Sequence, residues 1–271
     1  MGLRAASEPA RVADSLRAPG PRMRSLAKQI PAQWQLSLYP QAGEGGGCFT
    51  SPREHKWVPA GSGGNPARAR EEAARRAGGK LRRYAAANRL NRLGTLTYGP
   101  PRCTDPKELR THVADFFRQL RDGLGGEPLP YVWVPELHKD GVNFHLHFAV
   151  GRFVPRQLIT SAWGRGFVHI KLLGDLPVGS GPLAEARRAA GYLSKYVSKT
   201  FSDPSLRVPG MHRYDCAQGF QPAVTRLVGR TAEDVLGHAS QLVGAAPVRQ
   251  WSSADVEDWQ GPPAIWVQWA I

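Results

Sequence analysis

Cysteine is scarce in this chain. Cys48, Cys103 and Cys216 are an odd number with no CxxC spacing, which argues against a disulfide framework and against a cysteine-type zinc site. Long apolar runs are missing as well. No stretch of 18 apolar residues occurs, so no segment is expected to span a membrane. Nor does a continuous apolar segment follow the basic residues near the N-terminus, so a secretory signal is not expected, and a bacterial-type cytoplasm is the default compartment. No Gly-x-x-x-x-Gly-Lys-Ser/Thr appears, which excludes an ATP-driven helicase of the P-loop kind and leaves no nucleotide cofactor to expect. Acidic side chains also run short: 22 Asp and Glu stand against 36 Lys and Arg, a formal charge of +14. That balance points to a polyanionic partner.

The excess charge is concentrated early. Residues 1–92 carry 17 basic and 6 acidic side chains, whereas 93–271 carry 19 and 16. Most of 1–66 reads as loosely ordered, because it is rich in Gly and Pro and has few apolar clusters besides Trp34–Tyr39. From Pro66 to Asn91 the chain turns Ala- and Arg-rich and reads as a helix. Arg75, Arg76, Arg82, Arg83 and Arg89 on it are candidates for phosphate contact along DNA; the plainer alternative is a solvated basic face.

The most informative stretch is Asn143 to Val150. At period two, Phe144, Leu146, Phe148 and Val150 share one face, and Asn143, His145, His147 and Ala149 the other. Two imidazoles one pleat apart are near enough to hold one metal ion. The segment before it, Tyr131–Leu137, is a second strand, and Asp140-Gly141 signals a two-residue turn. Counting back from that turn sets Leu137 opposite Phe144 and Glu136 opposite His145, so a carboxylate joins the imidazole pair. Pro135, which cannot donate to a ladder, is the residue that could slip this register.

From Pro182 onward, Leu183, Ala186, Ala190, Leu193 and Val197 form the buried stripe of an amphipathic helix. Tyr192 and Tyr196 lie one turn apart on its flank, each followed three residues later by a lysine, Lys195 and Lys199. Tyr and Lys on a helix flank usually mean only a solvated face. The chemical alternative is a phenol nucleophile, helped by a metal and by lysines that favour phenolate, acting on a phosphodiester.

With these residues in place the chain resembles the HUH endonucleases, in particular the rolling-circle replication initiators of small plasmids and single-stranded phages. Leu93 to Tyr98 looks like the first motif of that family, His145-Leu146-His147 the second, and Tyr192 through Lys199 the two-tyrosine form of the third. The resemblance spans about Arg89 to Phe201. It implies a Mg²⁺ or Mn²⁺ ion held by His145, His147 and Glu136, although imidazoles would also suit zinc. It implies that single-stranded origin DNA is nicked by Tyr196, the position kept by single-tyrosine members, leaving a 5′-phosphotyrosine and a free 3′-OH. Tyr192 would then serve the second transfer, with Lys195 and Lys199 steadying charge or orienting DNA. A host helicase and DNA polymerase are the further implied partners. Two alternatives stay open: a relaxase or transposase using the same chemistry, and a non-catalytic basic DNA-binding protein.

The expected fold class is α+β, an antiparallel sheet with helices packed on it in the order β-α-β-β-α-β-α. Its elements are Arg92–Tyr98, a helix capped by Thr104 or Asp105, the hairpin, a helix at 155–163, a strand at 166–172, and the tyrosine helix. Three regions follow: 1–66 loosely ordered, 67–205 the endonuclease unit with its basic lead-in helix, and 206–271 an accessory region. In the last, Thr231 reads as a helix cap and Trp251, Trp259, Trp266 and Trp269 as an accessory core. His112, His138 and His169 read as ordinary histidines, with His138 near enough to the turn to support the metal. Arg187 and Arg188, a turn before the tyrosines, are further phosphate-contact candidates.

Overall fold

The computed structural model describes residues 31–51, 65–138, 140–171, 176–177, 179–202 and 212–271. It is an α+β protein with two antiparallel five-stranded sheets and, among the described residues, five α-helices. One sheet is built from β3 (Arg92–Tyr98), β4 (Tyr131–Leu137), β5 (Phe144–Val150), β6 (Gly166–Lys171) and β7 (Asp215–Cys216), in the order β6-β3-β5-β4-β7. Between them run α2 (Pro106–Gly123), α3 (Arg156–Trp163) and α4 (Gly181–Ser202). The β-α-β-β-α-β-α order read from the sequence is therefore present.

Each face of this sheet is covered by helices. On one side α2 supplies Leu109, Val113, Phe116, Phe117 and Leu120, which meet Trp133, Phe144, Leu146 and Phe148 and the fully buried Trp163 of α3. Asp105 caps α2 by accepting from the Lys107 N–H, with Pro106 in the first turn. On the other side α4 lays Ala189, Ala190, Leu193 and Val197 over Val132, Val134 and Ala149, and α1 (Pro66–Ala87) adds Leu81, Tyr84 and Ala85. In β3, Gly94 lets a ring lie flush on the strand: a Cβ there would stand 2.3 Å from the ring of Phe148.

The second sheet runs β8-β1-β2-β10-β9, from β1 (Gln33–Tyr39), β2 (Glu44–Thr50), β8 (Thr225–Gly229), β9 (Arg249–Ser252) and β10 (Ala264–Gln268). Here the structure departs from the sequence reading. Residues 33–50 are an ordered hairpin at the centre of this sheet, not loose chain, and β8 and β10 from the C-terminal part of the chain flank it. The glycine run that suggested looseness permits close packing, since a Cβ on Gly47 would lie 2.1 Å from the Gln35 carbonyl oxygen. Most of the rest of the 1–66 expectation falls on residues 1–30 and 52–64, outside the described residues. Helix α5 (Ala232–Val243) packs Val235 and Ala239 on Leu36, Leu38, Val267 and the buried Trp269. It opens with a capping box between Thr231 and Asp234. Among the described residues, no helix is long and apolar enough to cross a membrane.

Candidate metal centre

The β4–β5 hairpin has the register counted from its turn: Glu136 pairs with His145 and Leu137 with Phe144. Asp140 builds the turn by accepting from the Val142 and Asn143 N–H groups, while the His138 N–H donates to the Asn143 carbonyl. Hydrogen-bonded pairs in an antiparallel ladder recur every second residue, so the Pro135 nitrogen faces away from β5. On that outer side β7 pairs only with Val132 and Trp133, and no donor is required of Pro135.

This register brings Glu136, His145 and His147 together on the face toward α4. Glu136 Oε2 lies 2.8 Å from His145 Nε2 and 3.0 Å from His147 Nε2, and the three candidate ligand atoms fall within 4.8 Å of one another. Two imidazole nitrogens and a carboxylate oxygen, so converged, fit a divalent cation. His147 is the most enclosed of the three, its side chain 6% exposed. Burial pulls its pKa down, which favours the neutral ring that can ligate. Burial would raise the Glu136 pKa, but hydrogen bonds from His145, His147 and Lys199 outweigh it and hold the carboxyl well below its ordinary range.

Helix α4 brings both tyrosines to this trio. The Tyr196 ring stacks on His147 with centroids 3.8 Å apart, and Tyr192 stands edge-on to the same imidazole at 6.2 Å. The Tyr196 hydroxyl donates to the Tyr192 oxygen at 2.7 Å. Burial, this contact and the nearby Glu136 charge all push the Tyr196 pKa above its ordinary value. The two lysines part company. Lys199 Nζ is 2.8 Å from Glu136 Oε1, whereas Lys195 is exposed.

Two neighbours escaped the sequence reading. Thr95 Oγ1 lies 2.9 Å from His147 Nδ1, and Lys171 Nζ lies 4.8 Å from the centre of the Tyr192 ring. Thr95 belongs to β3, beside β5, and Lys171 to β6, one strand further out, and only the pairings Thr95↔His147 and Leu93↔Lys171 reveal them. His138 sits with its ring 5.5 Å from that of His145. His112 bonds the Tyr98 hydroxyl at 3.0 Å, away from the trio, and His169 is exposed on β6.

The arginines are mostly engaged inside the molecule. Arg82 forms a two-pronged pair with the buried Glu44 at 2.7 Å and 2.7 Å, joined by Arg83 at 3.3 Å. Arg82 also lies over Trp266, Arg83 over Tyr39 and Arg75 over Trp259, so this face of α1 is turned to the second sheet. Arg89 donates to the Gln41 and Ala86 carbonyls. Arg187 donates to those of Ala42, Gly43 and Trp269. A periodic row of arginines on a helix looks alike whether it faces solvent or an aromatic, acid-bearing sheet, so the spacing did not separate the two. Arg76 and Arg188 are exposed.

Residues 91–201, from β3 to the end of the tyrosine helix, match the family described as Replication-associated protein ORF2/G2P. The match covers the trio and both tyrosines, and it points to a replication-initiation role. No curated protein and no solved structure matches the chain.

Proposed function

We propose that this protein initiates rolling-circle replication by nicking and rejoining single-stranded DNA, through a covalent link to a tyrosine of the HUH type. The observation that carries this reading is the stacking of Tyr196 on His147, within the cluster that includes Glu136 and His145. A nucleophile is useful beside a cation only if both reach one phosphate, and here an imidazole of the cation site touches the phenol.

In this reading Glu136, His145 and His147 hold a Mg²⁺ or Mn²⁺ ion. The ion supplies positive charge at the scissile phosphate and offsets the Glu136 charge that disfavours phenolate at Tyr196. The Tyr196 oxygen attacks phosphorus, a new O–P bond forms, and the bond to the 3′ oxygen breaks. The phenol proton is released to solvent, and the departing 3′ oxygen takes up a proton from water to become the 3′-OH that a polymerase extends. Tyr192, four residues away on the same face, performs the second transfer. Lys199, already beside Glu136, and Lys195 steady the phosphate's charge, with Arg76 and Arg188 contacting DNA further out. Strand separation belongs to a host helicase.

Incubation with single-stranded origin oligonucleotides, with Mn²⁺ or with EDTA, tests this. A denaturation-resistant protein–DNA adduct that requires Mn²⁺ and is lost in Tyr196→Phe is expected. Salt-sensitive binding indifferent to chelator, with no adduct, would instead leave a non-catalytic DNA-binding protein.

A further inference from the structure

Helix α4 and its partner α1 cover only part of the catalytic face of the first sheet. Beyond β5 the same face continues across β3 and β6. Opposed residues of an antiparallel sheet share a face, so Thr97↔Phe167 and Thr95↔His169 place Phe167 and His169 on the His145–His147 side, with Lys171 two residues on. Val168 and Ile170, between them, pack against the α2–α3 core on the reverse side. Phe167 is 70% exposed, and His169 and Lys171 are exposed too. A phenylalanine this bare on a sheet surface is buried by nothing in the described fold. The strip is continuous with the catalytic centre, because Lys171 reaches the Tyr192 ring and Thr95 reaches His147. It also carries one sign of charge: β3, β5 and β6 together contain no acidic residue.

We propose that the β3–β6 strip is the track on which single-stranded DNA lies beside the scissile phosphate, with Phe167 stacking one unpaired base and Lys171 and His169 meeting the adjoining backbone. An exposed aromatic offers a π-face to any base, and a neighbouring lysine with no acid on these strands suits a phosphate chain. Bases paired in a duplex are already stacked and cannot use Phe167, so the strip selects single strands. The inference rests on the nicking reading for its location and adds the subsite that holds the nucleotide next to the bond broken.

The test measures binding of a fluorescent single-stranded oligonucleotide by anisotropy in EDTA, where no chemistry occurs, with nicking in Mn²⁺ followed separately. Phe167→Ala should weaken single-strand binding about 10- to 100-fold, the range of one lost base–aromatic stack. Phe167→Trp should bind as wild type does, and duplex binding should be the same for all three. Phe153→Ala, which removes another exposed phenylalanine (71%) in the turn after β5, should leave single-strand affinity intact. Unchanged affinity in Phe167→Ala, or an equal loss in Phe153→Ala, overturns the track. Wild-type protein that nicks while Phe167→Ala binds normally overturns the track alone. Wild-type protein that binds through Phe167 yet never nicks keeps the track and overturns the catalytic reading.

Discussion

Thr95→Val isolates what the hydroxyl facing His147 contributes. An imidazole that ligates through Nε2 keeps its proton on Nδ1, and the atom placed to accept that proton is Thr95 Oγ1, 2.9 Å away. Valine preserves shape and β-branching but offers a methyl group. In a site where the His147 side chain is only 6% exposed, water cannot easily replace the lost partner. Two costs follow. The fold should lose about 1–3 kcal/mol for an unsatisfied buried polar atom. The metal should bind about 10- to 100-fold more weakly, because the ring is no longer held at its tautomer and angle. Titration calorimetry with Mn²⁺ measures the second directly, and adduct yield as a function of Mn²⁺ concentration measures it through chemistry. Saturating Mn²⁺ should restore most of the yield, since Thr95 touches neither phosphate nor phenol, and Thr95→Ser should behave as wild type. If Thr95→Val bound Mn²⁺ as tightly as wild type, the role given to this hydroxyl would be wrong.

Three other outcomes are expected. Tyr196→Phe should abolish the first covalent adduct, while Tyr192→Phe should form it and fail to rejoin strands; gel analysis of labelled oligonucleotides separates the two. Glu44→Gln should destabilise the protein by about 2 kcal/mol near neutral pH, the value for a broken buried pair discounted for the partly exposed arginines. Burial pushes the Glu44 pKa up, but the bond and charge of Arg82, with Arg83, bring it below its ordinary value. Its stabilising effect is therefore present above the unfolded carboxylate range and lost as pH falls toward the folded pKa, so melting curves of mutant and wild type should converge in acid. Gly94→Ala, which drives a methyl into the Phe148 ring, should lower stability by about 1–3 kcal/mol in urea unfolding.

Much of the first sheet could be read from local signals. The Asp140-Gly141 turn fixes the β4–β5 register, and with it the meeting of Glu136 and His145. The three- and four-residue spacing of Leu183 to Val197 gives the tyrosine helix. What local signals do not carry is partnership across distance. Nothing near Gly45-Gly46-Gly47 says that Ile265, Trp266 and Val267 will pair with them, and polar, glycine-rich sequence without its mate looks like loose chain. The same holds for side chains: Lys199 goes to Glu136 rather than to a phenol, and Arg82 to Glu44 rather than to solvent. Of the tryptophans read as core, Trp269 is fully buried, whereas Trp251 and Trp259 pack edge to face near the surface.

The interleaving of the second sheet sets an order of assembly. All but β7 of the first sheet's strands lie between Arg92 and Lys171, so that sheet can close from neighbours soon after they leave the ribosome. The β1–β2 hairpin is made earlier but stays bare on both flanks until Thr225 onward arrives, and such wide loop closures are slow. A fragment ending at Ser202 would keep its tyrosines and its imidazoles but carry a two-stranded ribbon with open edges, a template for self-association. Solubility, rather than chemistry, should be the first thing such a truncation forfeits.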